Sequence, residues 1–536
     1  MVPIESLDKD GNGVTSIEWT TMQKQIESTK LVVRGALPGE TVRVRVVSVF
    51  AKGGSAIHTV NLNVFGRREH LIRPRVDSEP WRSTIEPELL PAGHEESKDY
   101  QPFDCPHFDR RHDEKACRGC TVPHLNYTKQ LLEKSRLLRD SLSGAVDSDV
   151  LSSLSVEPRS SIKRFSDRIE VFAFSRRPLE TPVWGQLTHK HPVPGERRSK
   201  YYIETPKCRI ISKSAQAILT RLGELVAAKH SESPSLFSVY DEVLNRGYLK
   251  SAILQSARNR DGQIEILLSL KTAVESSPRF RQVVKEEIAD RLMTEFPLLR
   301  GVLLGDLKQV EEGKMEVLSG QATISSFIES ANTEFSIGSS SMLPDTEVSH
   351  KLLAGLTQVL AENNGPIIEL YSGDGSITRL LKEVSPDVRS LTSKDLKLLL
   401  DEGVSPSHSP LFLPINEPLD KAPVVKSEVD IDEPNDMTAV VSFPPSDIGK
   451  PEVKGVTPKE FRHWLGNVAR PKRIVIMTEK FDGLRKDIGH MKLMGYELRS
   501  IKAFDAQPGV MNRIATLVVM DKKPSYSPLN QNQLIE

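Results

Sequence analysis

The cysteines constrain this chain more than any other feature of its sequence. The chain has 536 residues and 4 cysteines, and Cys105, Cys117 and Cys120 lie close together while Cys208 is distant. A disulfide framework is not expected in a chain of this length without a secretory signal. A Cys-x-x-Cys pair lets both sulfurs face one tetrahedral centre, and four thiolates can hold zinc or an iron–sulfur cluster. The clustering therefore predicts a metal site, against the alternative of four unrelated buried thiols, and leaves the metal open.

The overall charge gives no guidance about binding partners. Lys and Arg number 72, as do Asp and Glu, so that only local patches could attract nucleic acid. No apolar run approaches the length of about 18 residues that predicts a transmembrane helix, and no membrane partner is expected. The start, MVPIESLDKDGNG, lacks the features of a signal or transit peptide. The sequence fits the bacterial cytoplasm, or a mitochondrion or plastid if a presequence has been removed.

The residues around the second and third cysteines carry a specific pattern. The stretch CRGCTVPHLNYTKQLLEK has the form C-x-G-C-x3-H-x2-Y-x2-Q-L-x2-K. It resembles the iron–sulfur segment of RNA uracil-5 methyltransferases of the RumA/TrmA type. The matching residues are Cys117, Gly119, Cys120, His124, Tyr127, Gln130, Leu131 and Lys134.

The resemblance implies a ligand set for the predicted metal. The CPHF stretch at Cys105 matches the start of the same family segment, and Cys208 falls where the family has its distant fourth ligand. Cys105, Cys117, Cys120 and Cys208 would then hold a [4Fe–4S] cluster. The gap between Cys105 and Cys117 is longer than is usual in the family, so zinc stays open as the alternative.

The resemblance also implies a multidomain chain of mixed β and α/β class. An N-terminal OB-like TRAM β-barrel would span residues 1–77, and a linker would span 78–102. A central α+β domain with the cysteines would span 103–330. A C-terminal class I, Rossmann-like methyltransferase domain would span 331–526, followed by a tail at 527–536.

Two features mark the predicted barrel. The stretch LVVRGALPGETVRVRVVSVF alternates apolar and polar residues, as in a strand pair with a Pro-Gly turn. OB-like barrels use basic faces to follow a nucleic-acid backbone, and a solvated strand face is the alternative. The candidate RNA-binding residues are Arg34, Arg43, Arg45, Lys52, Arg67 and Arg68.

A calcium-loop pattern near the N-terminus is not interpreted as a calcium site. Asp8, Asp10, Asn12 and Gly13 fit the first positions of an EF-hand loop, but Trp19 stands where a bidentate Glu is needed. A turn between two strands is the better interpretation.

The stretch GPIIELYSGDGSITRLL predicts a buried strand, a glycine loop and the start of a helix. It looks like motif I of class I methyltransferases. Glycines there let the backbone approach the methionine and ribose of S-adenosylmethionine, as in other nucleotide-binding βα turns. The implied cofactor-binding residues are Glu369, Gly373, Asp374 and Gly375.

The catalytic motifs of the family are not retained. The family attacks uracil C6 with a cysteine thiolate and later removes the C5 proton with a carboxylate. The nucleophile position aligns with Glu479, or with Thr478 after a one-residue slip, and the base position aligns with Ile514. The family's D-P-P-R reads Phe443-Pro444-Pro445-Ser446. No cysteine follows Cys208, so no alignment can restore the thiol.

Three hypotheses follow. The first is a non-catalytic RNA-binding protein derived from this family, acting on a structured RNA such as ribosomal RNA, in ribosome assembly or in a ribonucleoprotein. The second is an active S-adenosylmethionine-dependent RNA methyltransferase with changed target chemistry, in which the glycine loop still holds the cofactor. The third is a zinc-stapled scaffold without RNA affinity, which would not need the basic N-terminal segment.

Overall fold

The structure is a computed structural model that describes most of the chain. The residues that it describes are 2–20, 26–42, 45–46, 60–63, 85–86, 98–109, 116–159, 166–175, 180–188, 201–241, 246–306, 309, 315–328, 332–338, 346–362, 365–371, 376–391, 435–442, 459–479 and 481–523.

Helices and strands alternate over the C-terminal half, whereas strands dominate the start of the chain. The described α-helices are Tyr127–Leu142, Ser148–Ser153, Lys213–Glu232, Pro278–Val284, Asp290–Glu295, Thr346–Ala361, Ser376–Val384, Lys459–His463 and Phe481–Leu493, with π-helical turns at Lys285–Ala289 and Trp464–Ala469. The described strands are Val2–Pro3, Ser6–Leu7, Gly13–Thr20, Ile26–Arg34, Thr41–Val42, Arg45–Val46, Val60–Asn63, Ile85–Glu86, Val156–Glu157, Arg168–Phe174, Val183–Leu187, Tyr202–Glu204, Leu249–Arg258, Ile264–Thr272, Leu299–Asp306, Glu316–Gly320, Ile324–Ile328, Thr333–Ile337, Ile367–Leu370, Val388–Leu391, Asn435–Ser442, Pro471–Thr478, Tyr496–Asp505 and Ile514–Lys522.

The N-terminal sheet begins with the turn that resembles a calcium loop. Ser6–Leu7 pairs antiparallel with Gly13–Thr20. The Asp8 side chain accepts hydrogen bonds from the backbone N–H of Asp10 and of Asn12, at 3.0 and 2.8 Å. The pattern therefore forms a turn between strands, as predicted. Most of the predicted barrel, including Arg43, Lys52, Arg67 and Arg68, lies outside the described residues.

The central sheet is mixed and has helices on one face. Its described strands lie in the order Tyr202–Glu204, Val183–Leu187, Arg168–Phe174, Leu249–Arg258, Ile264–Thr272, Leu299–Asp306, Glu316–Gly320. Apolar side chains from Lys213–Glu232 and from the helical segment that starts at Pro278 pack with one face of these strands in a single core. Strand Arg168–Phe174 alternates buried and half-buried side chains, as expected where only one face is fully covered.

The C-terminal sheet is mostly parallel, with one antiparallel strand inserted. Its described strands lie in the order Val388–Leu391, Ile367–Leu370, Asn435–Ser442, Pro471–Thr478, Ile514–Lys522, Tyr496–Asp505, Val156–Glu157. The first four strands run parallel to one another, while Ile514–Lys522 is antiparallel to both of its neighbours. The inner strands are almost wholly buried, because both faces are covered. The predicted mixed α/β multidomain class is confirmed.

The segment after the cysteines joins the C-terminal sheet. Helix Tyr127–Leu142 contacts helix Phe481–Leu493, and strand Val156–Glu157 pairs in parallel with Tyr496–Asp505. The sequence predicts that this segment belongs to a central domain at 103–330, and these bounds stay a prediction. In the structure, these residues add a strand to the neighbouring sheet. None of the helices that the structure describes is long and apolar enough to cross a lipid bilayer.

A half-buried histidine, His350, lies where the hairpin 324–337 meets helix Thr346–Ala361. The Nε2 atom of His350 lies 2.9 Å from Ser326 Oγ, and its ring makes an edge contact with Phe335. Burial lowers the pKa of His350 to about 4, against the opposing influence of Asp167 and Glu347. The neutral ring is therefore the form that the fold accommodates.

This geometry predicts an acid-sensitive contact. Because the pKa of His350 is lower in the folded chain than in the unfolded chain, the stabilisation is complete above about pH 6.5 and is lost as the pH falls toward 4. At about pH 5 we expect protonation of His350 in the unfolded chain to lower the free energy of unfolding by about 2 kcal/mol relative to pH 7. His350→Gln keeps a hydrogen-bonding group and should reduce the fall in the urea midpoint between pH 7 and 5. An equal fall in both proteins would contradict this assignment.

Candidate functional site

The strand that carries the family's nucleophile position ends at the expected edge of the sheet. Strand Pro471–Thr478 is parallel to Asn435–Ser442, which is parallel to Ile367–Leu370. In open α/β sheets, ligands bind outside the carboxyl ends of such strands. Glu479 directly follows Thr478, and Glu369 lies near the end of Ile367–Leu370. Both positions therefore lie at the carboxyl ends of their strands.

Glu479 is engaged in an ion pair. Its Oε2 accepts a hydrogen bond from Arg513 Nη1 at 2.9 Å, and the side chain is only 11% exposed while that of Arg513 is 49% exposed. Arg513 precedes strand Ile514–Lys522, which runs antiparallel to Pro471–Thr478. The two side chains thus meet across adjacent strand ends. The guanidinium group therefore engages one oxygen of the carboxylate at the position aligned with the family's nucleophile.

A second arginine approaches this pair from the central sheet. Arg168 begins strand Arg168–Phe174. Burial lowers the pKa of Arg168, while the charges of Glu170 and Glu479 oppose that shift. The candidate site therefore combines groups from two sheets. Sequence reasoning missed Arg168, and the signal that could have found it was an arginine at the start of an alternating strand.

The family's base position is part of the apolar core. Ile514 is fully buried and pairs with Asp505 across the antiparallel strands. It lies in the core cluster that includes Ile476 and Val518. The alkyl side chain of Ile514 cannot accept a proton, whatever the position's role in the family.

The acidic residue of motif I is fixed by the helix that follows it. Glu369 is fully buried, and the Thr378 hydroxyl donates a hydrogen bond to its Oε2. Tyr371, at the end of the strand, has the left-handed φ of 65°, which is uncommon for a residue with a side chain. Gly373, Asp374 and Gly375 lie outside the described residues.

A buried ion pair joins the cysteine segment to the loop between the last two strands. Lys134 Nζ donates to Asp505 Oδ1, and both side chains are fully buried. It also donates to the Gln507 carbonyl at 2.9 Å and to the Arg513 carbonyl at 3.3 Å. Burial lowers the pKa of Lys134, and Asp505 opposes that shift by favouring the ammonium form.

Gln130 fixes the tip of the same loop. Its Oε1 accepts a hydrogen bond from the Gly509 backbone N–H at 2.7 Å, and its Nε2 donates to the Leu125 carbonyl at 2.7 Å. Gly509 has a φ of +80°, and an added Cβ would lie 3.3 Å from Pro123 Cα, so a larger residue would be strained there. Gln130 and Lys134 therefore act as clamps on the loop 505–513, which ends at Arg513.

The cysteines come from three chain segments that contact one another. The Cys117 N–H donates to the His107 carbonyl at 2.9 Å. Arg209, which follows Cys208, donates to the Asp104 carboxylate at 2.6 Å, and Asp104 precedes Cys105. The distant fourth cysteine is thus held beside the first.

The chemistry of these thiols fits a bound metal centre. Burial raises the pKa of Cys117 to about 12 and that of Cys208 to about 11. Burial also raises the pKa of Cys120, and the charges of Cys208, Cys117 and Cys105 add to the shift. Buried thiols are ionised readily only when a cation compensates them, and thiolates are the donors that bind zinc or an iron–sulfur cluster. Within the described residues, however, no three His, Cys, Asp or Glu side chains are already grouped to hold a metal ion.

The predicted RNA-binding residues are described only in part. Arg34 ends strand Ile26–Arg34 and Arg45 begins Arg45–Val46. Their side chains, and all of Arg43, Lys52, Arg67 and Arg68, lie outside the described residues. The basic N-terminal face therefore stays a prediction.

Comparison with known proteins supports the same lineage. No family model matches the chain. The chain is 23% identical over 432 residues to an uncharacterized RNA methyltransferase of Clostridium acetobutylicum, covering 76% of this chain and 82% of that protein. It is 26% identical over 194 residues to a 23S rRNA (uracil(1939)-C(5))-methyltransferase of Polaromonas, covering 33% of this chain and 32% of that protein.

A solved structure shares the fold over nearly the whole chain. It is the tRNA (uracil-54, C5)-methyltransferase of Pyrococcus abyssi in complex with S-adenosyl-L-homocysteine. The TM-score is 0.52 at 15% identity, and the match covers 97% of this chain and 99% of that chain. Together the comparisons confirm the resemblance to RNA methyltransferases, including those that act on uracil C5.

The buried ion pair gives a stability prediction. Lys134→Met leaves Asp505 buried without its cation and should lower the free energy of unfolding by about 3–5 kcal/mol. The double variant Lys134→Met, Asp505→Asn removes the uncompensated charge and should recover much of the loss. Urea unfolding followed by circular dichroism measures both.

Lys129→Met is the matched control. Lys129 lies on the same helix, is partly exposed, and its Nζ lies 3.5 Å from the buried Glu133 carboxylate. Glu133 also accepts hydrogen bonds from Arg136 and from the Leu7 N–H, so loss of this i, i+4 pair should cost only about 0–1 kcal/mol. If Lys134→Met is no more destabilising than this control, the ion pair does not hold the loop.

Proposed function

We propose that the chain binds RNA and does not methylate uracil C5 through a cysteine adduct. The observation that carries this proposal is the Glu479–Arg513 ion pair at the family's nucleophile position. A carboxylate engaged with guanidinium is a poor nucleophile toward uracil C6. The absence of any cysteine after Cys208 in the sequence supports the same conclusion.

The base position adds independent support. Removal of the C5 proton needs a general base within hydrogen-bonding reach, and Ile514 offers an apolar side chain inside the core. The side chains that the family uses to attack C6 and to remove the C5 proton are thus both absent from the aligned positions. Structured RNA, such as ribosomal RNA or a ribonucleoprotein, is the partner that we propose, because the relatives are named as enzymes of 23S rRNA and tRNA.

We propose that Cys105, Cys117, Cys120 and Cys208 hold a [4Fe–4S] cluster, with zinc as the alternative. The contacts that bring the segments of Cys105, Cys117 and Cys208 together support a shared metal centre. A bound cluster would supply ligation energy that stabilises the fold. The cysteine loop precedes the helix that carries Gln130 and Lys134, so that stabilisation would extend to the loop 505–513.

One observation favours a second function. Glu369 remains buried and hydrogen-bonded to Thr378, as expected if the motif I turn still holds S-adenosylmethionine with Gly373, Asp374 and Gly375. The chain would then be an active methyltransferase that acts on a target already nucleophilic, such as a ring nitrogen or a hydroxyl. Glu479 would act there as a carboxylate and not as a covalent nucleophile.

Cofactor binding separates these functions without knowledge of the RNA. Titration of anaerobically purified protein with S-adenosylmethionine by calorimetry should give no heat at millimolar ligand if the protein is non-catalytic. Micromolar binding that is weakened tenfold or more by Glu369→Gln would establish the methyltransferase function instead. Circular dichroism of the Glu369→Gln variant confirms that it is folded.

The cysteine assignment is tested by metal content. Cys120→Ser should abolish the brown colour and the bound iron of anaerobically purified protein, and should reduce its soluble yield. His107→Gln changes a neighbouring side chain that is not an assigned ligand, and should retain both. If the unaltered protein contains one zinc per chain and no iron, the site binds zinc and not a cluster. If Cys120→Ser keeps its full iron content, Cys120 is not a ligand.

A further inference from the structure

The central sheet has one face that remains partly open along its outer strands. Along strand Arg168–Phe174, the side chains of Ile169, Val171 and Ala173 belong to the buried core with the helices. The alternate side chains are half-buried and point to the opposite face; they are Arg168, Glu170, Phe172 and Phe174.

Three aromatic rings gather at one end of this face. The ring centroid of Tyr202 lies 5.4 Å from that of Phe172 and 5.7 Å from that of Phe174, and the second pair is stacked at 22°. Gly185 pairs with Phe172 on the next strand. A Cβ on Gly185 would overlap the Ile203 carbonyl oxygen and would lie 2.9 Å from Phe174 Cε1, so the close approach of the neighbouring backbone requires this glycine, and the rings pack over it.

The other end of the face leads to the candidate site. Arg168 shares the electrostatic field of Glu479 and Arg513. The alternate side chains of strand Arg168–Phe174 are spaced by about 7 Å. That step is close to the distance between neighbouring nucleotides in an extended single strand.

The negative charge of Glu170, which lies between the two ends of the face, is offset by a lysine. Glu170 Oε1 lies 3.1 Å from Lys271 Nζ and accepts a hydrogen bond from Ser251 Oγ at 2.6 Å. Because Lys271 offsets Glu170, Arg168 gives this face of the strand a net positive charge. A phosphate would meet a cation at one end, and a base would meet aromatic rings at the other.

We propose that this face binds unpaired nucleotides of the RNA, and that Phe174 and Tyr202 stack on a base. We call this face the aromatic track; it consists of Arg168, Phe172, Phe174 and Tyr202. The inference rests on the proposed RNA binding and adds its location. Single-stranded RNA is the occupant because unpaired bases of any sequence can stack on aromatic rings, and Arg168 supplies a positive charge on the same face.

The test uses the full-length protein and a short, fluorescently labelled single-stranded RNA of mixed sequence. The double variant Phe174→Leu, Tyr202→Leu keeps apolar volume and removes both rings. It should weaken binding about tenfold or more, as expected from loss of base stacking. The slope of log affinity against log salt should not change, because no phosphate contact is removed.

Phe327→Leu is the control. Phe327 is a half-buried aromatic residue on a different hairpin, where Arg260 lies 5.2 Å from its ring centroid. It should leave the affinity unchanged.

Ultraviolet crosslinking of the unaltered protein gives a readout that is independent of the folding of any variant. Crosslinked nucleotides should map to residues 168–174 and 201–204. Normal affinity of the double variant together with crosslinks elsewhere would overturn the inference, and would leave the rings as packing around Gly185 or as a protein contact. Failure of the unaltered protein to bind any RNA would overturn the proposed function itself.

Discussion

The buried ion pair between Lys134 and Asp505 is the contact on which the arrangement of the candidate site depends. Its two charges are fully buried, so the pair is stable only while both partners and their hydrogen bonds are present. It fixes the cysteine segment to the loop that presents Arg513. The same helix holds the N-terminal sheet, because Glu133 accepts a hydrogen bond from the Leu7 N–H at 3.1 Å. A single helix therefore positions three parts of the chain.

The sequence pattern identified residues of this helix that matter, but not the distant groups that they contact. Gln130 and Lys134 were part of the family pattern, but their partners are 379 and 371 residues away. No local periodicity encodes such a distance, and a buried lysine looks like any other lysine on a helix. The turn at Asp8 was predictable because its hydrogen bonds are confined to neighbouring residues.

The candidate site was predictable at single positions and not as a constellation. Alignment placed Glu479 and Ile514 at the family's catalytic positions, and the structure gives each a physical explanation. Arg513 pairs with the acid, and the core surrounds the isoleucine. Arg168 could not be assigned from sequence, because only the tertiary fold brings the start of a central strand to the field of Glu479. A strand's alternation shows which side chains share a face, but not what that face meets.

Binding and chemistry depend on different residues in this fold. The family's reaction needs a thiolate and a base at two strand ends, whereas the loop that frames them is held by Gln130 and Lys134 from a separate segment. At the position aligned with the family's nucleophile, Glu479 pairs with the side chain of Arg513, whereas Lys134 binds the backbone carbonyl of Arg513. The side chain at that position can therefore differ while the loop keeps its position. An RNA surface that continues along the central sheet would be unaffected by that loss, since its aromatic rings take no part in proton or methyl transfer.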